Sequence, residues 1–209
     1  MKLDLTLGAI EHQRFHTVYH TLQKKLHRTS KFKEKEIERF LITYYKFTLP
    51  AGKKSRQMTH SQFSTFYQIF LGVSELEWID SVIAYVEPGS KKFISAEAYL
   101  KAMELWTFGS FEDKKQFCFT VYDRHRKGYI TKEVLRKYCR NMVYGQTVED
   151  TQEMTREYAD FLLRKFDKDR DGRISFDDYS QTVNESPHLL EFLGQLCPDL
   201  TRLFETFQD

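Results

Sequence analysis

Proline and glycine are scarce in this chain, with 4 and 9 copies among 209 residues. That scarcity disfavours a β-sandwich of many tight turns and favours helices. No uninterrupted apolar run is long enough to span a bilayer. The first residues lack the hydrophobic core of a secretory signal. Lys2 stands where N-myristoylation requires glycine, so no membrane anchor is expected. Cysteine is limited to Cys118, Cys139 and Cys197, widely spaced and without a zinc or redox pattern. They read as core or half-buried thiols in a reducing compartment. Methionine, at 5 copies, is too sparse for a pliable Met-lined groove. Any groove would be lined by Phe and Leu and take a narrower set of partners. No HExxH, P-loop, Gly-x-Ser-x-Gly or acid-dyad signature appears, so no enzyme is expected. Nothing in the sequence calls for a nucleic-acid partner.

What is present is an aromatic-rich, charged chain: 18 Phe, 12 Tyr and 30% charged residues, with enough apolar content for one large or two small helical domains. Charge is unevenly divided. Residues 1–60 hold 13 Lys and Arg against 5 Asp and Glu, a net of +8, and the remainder has a net of −6. The cluster Lys24, Lys25, Arg28, Lys31, Lys33 and Lys35 suits an acidic partner surface such as a microtubule or an acidic coiled coil. It is equally a solvated helix face interleaved with Glu34, Glu36 and Glu38. His12, His16 and His20 recur every four residues, a spacing that can bind zinc. No carboxylate or cysteine completes a site within that run, so a polar helix face is expected.

The one strong chemical pattern is Asp167-Lys-Asp-Arg-Asp-Gly-Arg-Ile-Ser-Phe-Asp-Asp178. It reads as a calcium-type EF-hand loop. Asp167, Asp169 and Asp171 supply carboxylates from positions 1, 3 and 5, and Gly172 allows the sharp turn at position 6. Arg173 offers its backbone carbonyl, Ser175 holds a ligand or water at position 9, and Asp178 closes the loop. A hard cation wants six to eight oxygens at about 2.3–2.6 Å. Asp178 stands where Glu is usual and is one methylene shorter. The expected ion is Ca2+, with Mg2+ made relatively more acceptable at the same site.

Three further helix-loop-helix units recur along the chain. Asp123–Val134 keeps Asp123, Gly128 and Ile130 but has His125, Lys127 and Val134 at positions 3, 5 and 12. Glu87–Ala98 keeps Glu87 and Ile94, but has Lys91 and Lys92 in the turn and Ala98 at its end. Leu49–His60, between helices over 36–47 and 61–70, has no acid at all. These loops keep the fold and lose the metal. Apolar spacing supports the flanking helices: Ile37, Phe40, Leu41, Tyr44 and Tyr45; Phe111, Cys118, Phe119 and Tyr122; and Tyr158, Phe161, Leu162 and Phe166. Position 8 can form a short β-bridge with the partner loop. Ile130 is therefore expected opposite Ile174, and Ile94 opposite the first unit. Leu189, Leu190, Phe192, Leu193 and Leu196 either cap the second pair, which is the favoured reading, or face a partner helix. The expected architecture is all-α, four hands in two paired lobes: a basic helical segment over 1–33, a degenerate pair over 34–106, a second pair over 107–184 and a helical extension over 185–209.

The chain resembles EF-hand proteins of the neuronal-calcium-sensor superfamily over nearly its whole length, and within it the axonemal members associated with the outer dynein arm. The likeness is carried by Phe166–Tyr179, including the closing Asp178, by Ser110–Asp123, and by Glu185, Leu189–Gly194 and Pro198-Asp199. The resemblance implies a calcium-binding adaptor in the cytoplasm and cytoskeleton, in the axoneme of a cilium or flagellum. Implied partners are outer dynein arm docking-complex coiled coils, a dynein heavy or intermediate chain, and tubulin. The superfamily has acidic ligands where this chain has Gly89, Lys91, Ala98, His125, Lys127 and Val134, so multi-site sensing is not expected. Two alternatives stay open: a cytosolic regulator of a kinase or phosphatase, and a constitutive structural subunit without calcium switching.

Overall fold

The computed structural model describes residues 4–49, 57–72 and 78–198, with backbone alone at Phe70 and Leu71. Contacts divide the chain into two compact units: the second runs from Phe111 to Leu196, and the first holds the residues before it together with the end of the chain from Cys197.

In the first unit, α1 (Ala9–Thr29) packs on α2 (Glu34–Thr48) through Phe15, Tyr19 and Leu26, residues one, or nearly two, helical turns apart. Ile37, Phe40, Leu41, Tyr44 and Tyr45 form the buried face of α2, as their spacing predicts. The unit continues through β1 (Met58–Thr59), α3 (His60–Leu71), α4 (Ile79–Val86), β2 (Phe93–Ile94) and α5 (Ala96–Phe108). Strands β1 and β2 pair antiparallel with Met58 opposite Ile94, the bridge expected between the first two hands. The core between them is aromatic: Phe66 meets the Tyr99 ring edge-on at 5.2 Å, and Tyr67 lies against Trp106 at 5.6 Å.

The second unit repeats this plan with α6 (Phe111–Tyr122), β3 (Tyr129–Thr131), α7 (Lys132–Cys139), α8 (Val148–Phe166), β4 (Arg173–Ser175) and α9 (Phe176–Glu185). Ile130 lies opposite Ile174 in the antiparallel β3–β4 pair, and both are fully buried. One local signal recurs at every strand-to-helix junction. Thr59, Ser95, Thr131 and Ser175 each accept the N–H three residues on, starting α3, α5, α7 and α9.

Four expectations need correction. The first loop is two residues longer than twelve. Helix α2 ends at Thr48, yet the bridge residue is Met58 and the N-cap is Thr59, so Gln62 takes the closing place; residues 50–56 of that loop lie outside the described residues. Phe161 is 53% exposed, because the inward face of α8 is Thr155, Ala159, Leu162 and Phe166, and the Tyr158–Phe161 stack lies beside it. Phe111 is likewise exposed, with the Lys115 ammonium over its ring. The helical extension expected over 185–209 is, through residue 198, a 3-10 turn at Pro187–Leu189 followed by further turns. Pro187 lacks an N–H and disfavours helix at Ser186, and Gly194 turns the chain at φ +118°.

That C-terminal segment does cap the second unit. Phe192 packs on Phe166 at 4.1 Å and on Tyr122 at 5.4 Å, while Leu193 and Leu196 are buried. The Tyr179 hydroxyl donates to Leu190 O and the Tyr122 hydroxyl to Gly194 O. Cys118 and Cys139 are buried and Cys197 half-buried. Burial pushes the Cys139 thiol up to about 11, so it stays protonated. No helix among the described residues is long and apolar enough to cross a membrane.

Two consequences are measurable. Tyr44, fully buried, accepts the Met58 N–H at 2.9 Å and donates to Ile94 O at 2.6 Å, so one side chain ties α2 to both strands. Tyr44→Phe leaves both strand groups short of a partner, and we expect a loss of about 1–3 kcal/mol in urea unfolding of the first unit. Lys25 donates to both Glu97 oxygens, and this contact, with help from Lys101, holds the Glu97 carboxyl below its usual range. A carboxyl depressed in the folded state stabilises above its unfolded value and loses that contribution as pH falls through the folded one. Lys25→Gln should therefore cost no more than about 1 kcal/mol at pH 7, and the deficit should shrink as pH falls through and below the ordinary glutamate range.

Candidate metal centre

The loop between α8 and α9 begins at Asp167, whose own N–H closes α8 on Leu163 O at 2.8 Å. Its two carboxylate oxygens point back into the turn. One accepts Asp171 N–H at 3.1 Å and the other Gly172 N–H at 3.0 Å. Arg170 and Gly172 adopt left-handed φ values of 65° and 82°. Gly172 meets no steric cost there, and Arg170 accepts a modest one. Asp169 also accepts the Asp171 N–H, and Asp171 accepts the Arg173 N–H at 2.8 Å.

This folding draws three carboxylates together. One oxygen each from Asp167, Asp169 and Asp171 lies within 4.8 Å of the other two. Two oxygens held at about 2.4 Å from a single cation can be at most about 4.8 Å apart, a limit that each pair of these carboxylates meets. Their crowding shows in Asp169. The Asp171 N–H lowers its carboxyl, but lost solvation, the charges of Asp171 and Asp178, and a contact with Asp167 prevail and raise it.

Asp178 behaves differently. It is buried, at 6% exposure, and its carboxylate caps the helix it sits on. One oxygen accepts the Ser175 N–H at 2.9 Å and the Ser175 hydroxyl at 2.5 Å, and the other accepts the Lys168 N–H at 3.1 Å. Burial alone would raise this carboxyl; the hydrogen bonds from Ser175, Lys168 and Asp169 outweigh it and hold it low. Ser175 is thus engaged with Asp178. Arg173 opens β4, with its guanidinium 4.3 Å from the Tyr129 ring. Of the six residues read from the sequence, three converge, while Ser175 and Asp178 form a reciprocal cap beside them, near enough for the Asp178 charge to act on Asp169. The Ser-x-x-Asp spacing of that capping box is itself readable in the sequence.

The sibling loops keep their shape without such a cluster. Asp123 accepts Lys127 N–H at 3.0 Å and Gly128 N–H at 2.6 Å, and Arg126 and Gly128 have φ of 51° and 82°. This is the same turn as at Asp167. In the Glu87 loop, one Glu87 oxygen takes both the Ser95 N–H and the Ser95 hydroxyl, at 2.8 and 2.6 Å, joining the loop's two ends directly. His12, His16 and His20 line the exposed face of α1, with neighbouring rings 6.4 and 4.6 Å apart, and are not among the groups of converging ligand atoms.

One structural residue escaped the sequence reading. Lys115 on α6 is 1% exposed. Its ammonium donates to Ser180 Oγ at 2.8 Å and Asn184 Oδ1 at 2.9 Å on α9, and pairs with Glu112 at 2.6 Å. Three acceptors satisfy the three N–H groups, which is what lets a lysine be buried. Its place falls on the stripe of Phe111, Cys118, Phe119 and Tyr122, but a lysine there reads as a break in the apolar face rather than as part of the core.

Helix-loop-helix units joined in pairs by a short antiparallel bridge, with converging carboxylates in the last loop, define an EF-hand protein. Residues 112–183 match the EF-hand domain pair family, which implies calcium binding. Within that class the chain is calaxin-like. It is 30% identical to calaxin of Danio rerio over 129 residues, 61% of each chain. It is 26% identical to calaxin of Xenopus laevis over 171 residues, 80% of this chain and 82% of that one. It is 25% identical to the Mus musculus protein over 183 residues, 86% and 85% of the two. The match to the Danio rerio relative thus spans less than two thirds of its length.

The role of the first loop aspartate can be isolated in the hand that lacks the other ligands. Asp123→Ala should destabilise the second unit by about 1–3 kcal/mol, because it strands the Lys127 and Gly128 N–H groups. The loss should be the same in EGTA and in calcium. Asp167→Ala should cost a similar amount in EGTA and more in calcium, by thermal unfolding in both conditions.

Proposed function

We propose that the chain is a non-enzymatic, calcium-binding adaptor of the outer dynein arm docking complex in motile cilia or flagella, with one divalent site. The observation that carries the site is the convergence of Asp167, Asp169 and Asp171 on one coordination sphere. Asp178, Ser175 and the Arg173 carbonyl would complete it, and Mg2+ is the competing ion. The bound ion would neutralise the three clustered carboxylates. The chain's part is to hold Asp167 and Asp169 against the Asp171 N–H and to start α9 at Ser175. What supports the axonemal setting is the similarity to calaxin from several species. The partners that fit this reading are docking-complex coiled coils, a dynein heavy or intermediate chain, and tubulin. The basic face around Lys24, Arg28 and Lys33 is suited to acidic surfaces of that kind.

A second reading is a constitutive structural subunit. It is favoured by the closure of the Asp123 and Glu87 loops through their own side chains and by the engagement of Asp178 with Ser175. Calorimetry with Ca2+ against about 1 mM Mg2+ separates the two. The adaptor with a working site gives one binding event, lost in Asp171→Asn and strengthened about tenfold or more in Asp178→Glu, which restores the usual reach. No heat of Ca2+ binding in the wild type removes the switch. Tagged protein absent from motile axonemes removes the ciliary setting.

A further inference from the structure

The second unit holds a cleft of about 420 Å³ between the end of α7 and the first turns of α8, away from the metal loop. Its charged lining is Arg136, Arg140 and Arg156, without a single acid, and Val148 forms an apolar foot at 65% exposure. Arg136 and Arg140 are one turn apart on α7 and its C-cap, and Arg156 faces them from α8. The Glu133 carboxyl is lowered chiefly by Thr131 and the Asp160 carboxyl chiefly by Lys132, with Arg136 adding a smaller pull on both. Even so, among the described residues none of the three guanidinium groups is in a salt bridge. The Asp160 partner is Lys132.

We propose that this cleft binds an acidic peptide segment through its carboxylate side chains. A guanidinium presents two parallel donors that match a carboxylate, and three of them along one cleft match successive acids of an extended chain. A compact phosphate is poorly served here. Thr147 already caps α8, so the helix start has no free side-chain donor for it. The Thr151 and Thr155 hydroxyls donate to the carbonyls of Thr147 and Thr151. The donors left over are the three guanidinium forks and the Gln152 amide, beside an exposed valine, which is the layout of a peptide site. This site is independent of the metal reading, since none of its lining residues belongs to the Asp167–Asp178 loop.

The test uses the full chain and a fluorescein-labelled hexaglutamate peptide, followed by anisotropy at low salt. Arg140→Gln with Arg156→Gln should weaken binding about tenfold or more, and Lys91→Gln with Lys92→Gln, which removes equal charge elsewhere, less than about twofold. Both pairs are exposed, and circular dichroism melts check their folding. Hydrogen exchange on the wild type gives a second reading, with protection expected over 136–156 when the peptide is added. The proposal fails if the Arg140 and Arg156 changes leave affinity intact. It also fails if the loss follows Lys24→Gln with Arg28→Gln instead, if protection appears outside 136–156 only, or if inorganic phosphate displaces the peptide at equal concentration.

Discussion

The main-chain pairing between loops is the constraint on which both units depend. A single helix-loop-helix leaves an apolar face uncovered, and its partner must supply the other half of the core. The contact that sets the two halves in register is only two or three residues long: Met58 opposite Ile94, and Ile130 opposite Ile174. Buried side chains at those positions fix which way each strand faces, since a one-residue slip would turn them outward. Each strand then runs straight into a helix capped by Ser or Thr. The bridge therefore places the start of every exit helix, and with it the wall of the metal loop that carries Ser175 and Asp178.

Loops that lack ligands must hold this register by other means, and each does so with hydrogen bonds to buried or turning backbone. Asp123 preserves the turn by accepting two N–H groups, as Asp167 does. Glu87 spans its loop to reach Ser95, and the Tyr44 hydroxyl stitches β1 to β2 from the helix behind them. Burial pushes that phenol up to about 12, so it remains a donor to Ile94 across the physiological range. Loss of metal ligands and loss of fold are thus separable here. The first aspartate has a structural task that precedes coordination, which explains how its place can be kept while positions 3, 5 and 12 drift to His125, Lys127 and Val134.

Pattern and spacing made much of this legible. The position-8 residues announced which hands pair, and the apolar period of α2 announced its buried face. The carboxylates of the last loop announced their convergence, because their spacing forces alternate side chains inward. What was illegible depends on length and on satisfaction of polar groups. The first loop was read as twelve residues because neither Leu49 nor Gln62 carries a chemical mark of its role. Phe161 looked like core because period alone cannot tell a stripe from its neighbour one position over. Lys115 is the extreme case: only the meeting of Glu112, Ser180 and Asn184 in space makes an interior ammonium tolerable.

Those same contacts bear on how the last hand responds to a cation. Helix α9 is held at its start by the Ser175–Asp178 cap, in its middle by Lys115, and at its far end by the Lys168–Glu185 pair, 2.9 Å long. Both Asp178 oxygens are already engaged, one by Ser175 and the other by Lys168, so drawing this carboxylate further into the loop strains those contacts, and losing a cap of this kind costs about 0.5–2 kcal/mol. A glutamate has an extra methylene with which to reach further into the loop. The short side chain therefore sets helix initiation against coordination. The three crowded carboxylates favour the ion, and the cap and the Lys115 contact resist any movement of α9 that the ion would require. Whether the hand switches or only holds together depends on that balance of a few kcal/mol, and Asp178 is the residue that sits on both sides of it.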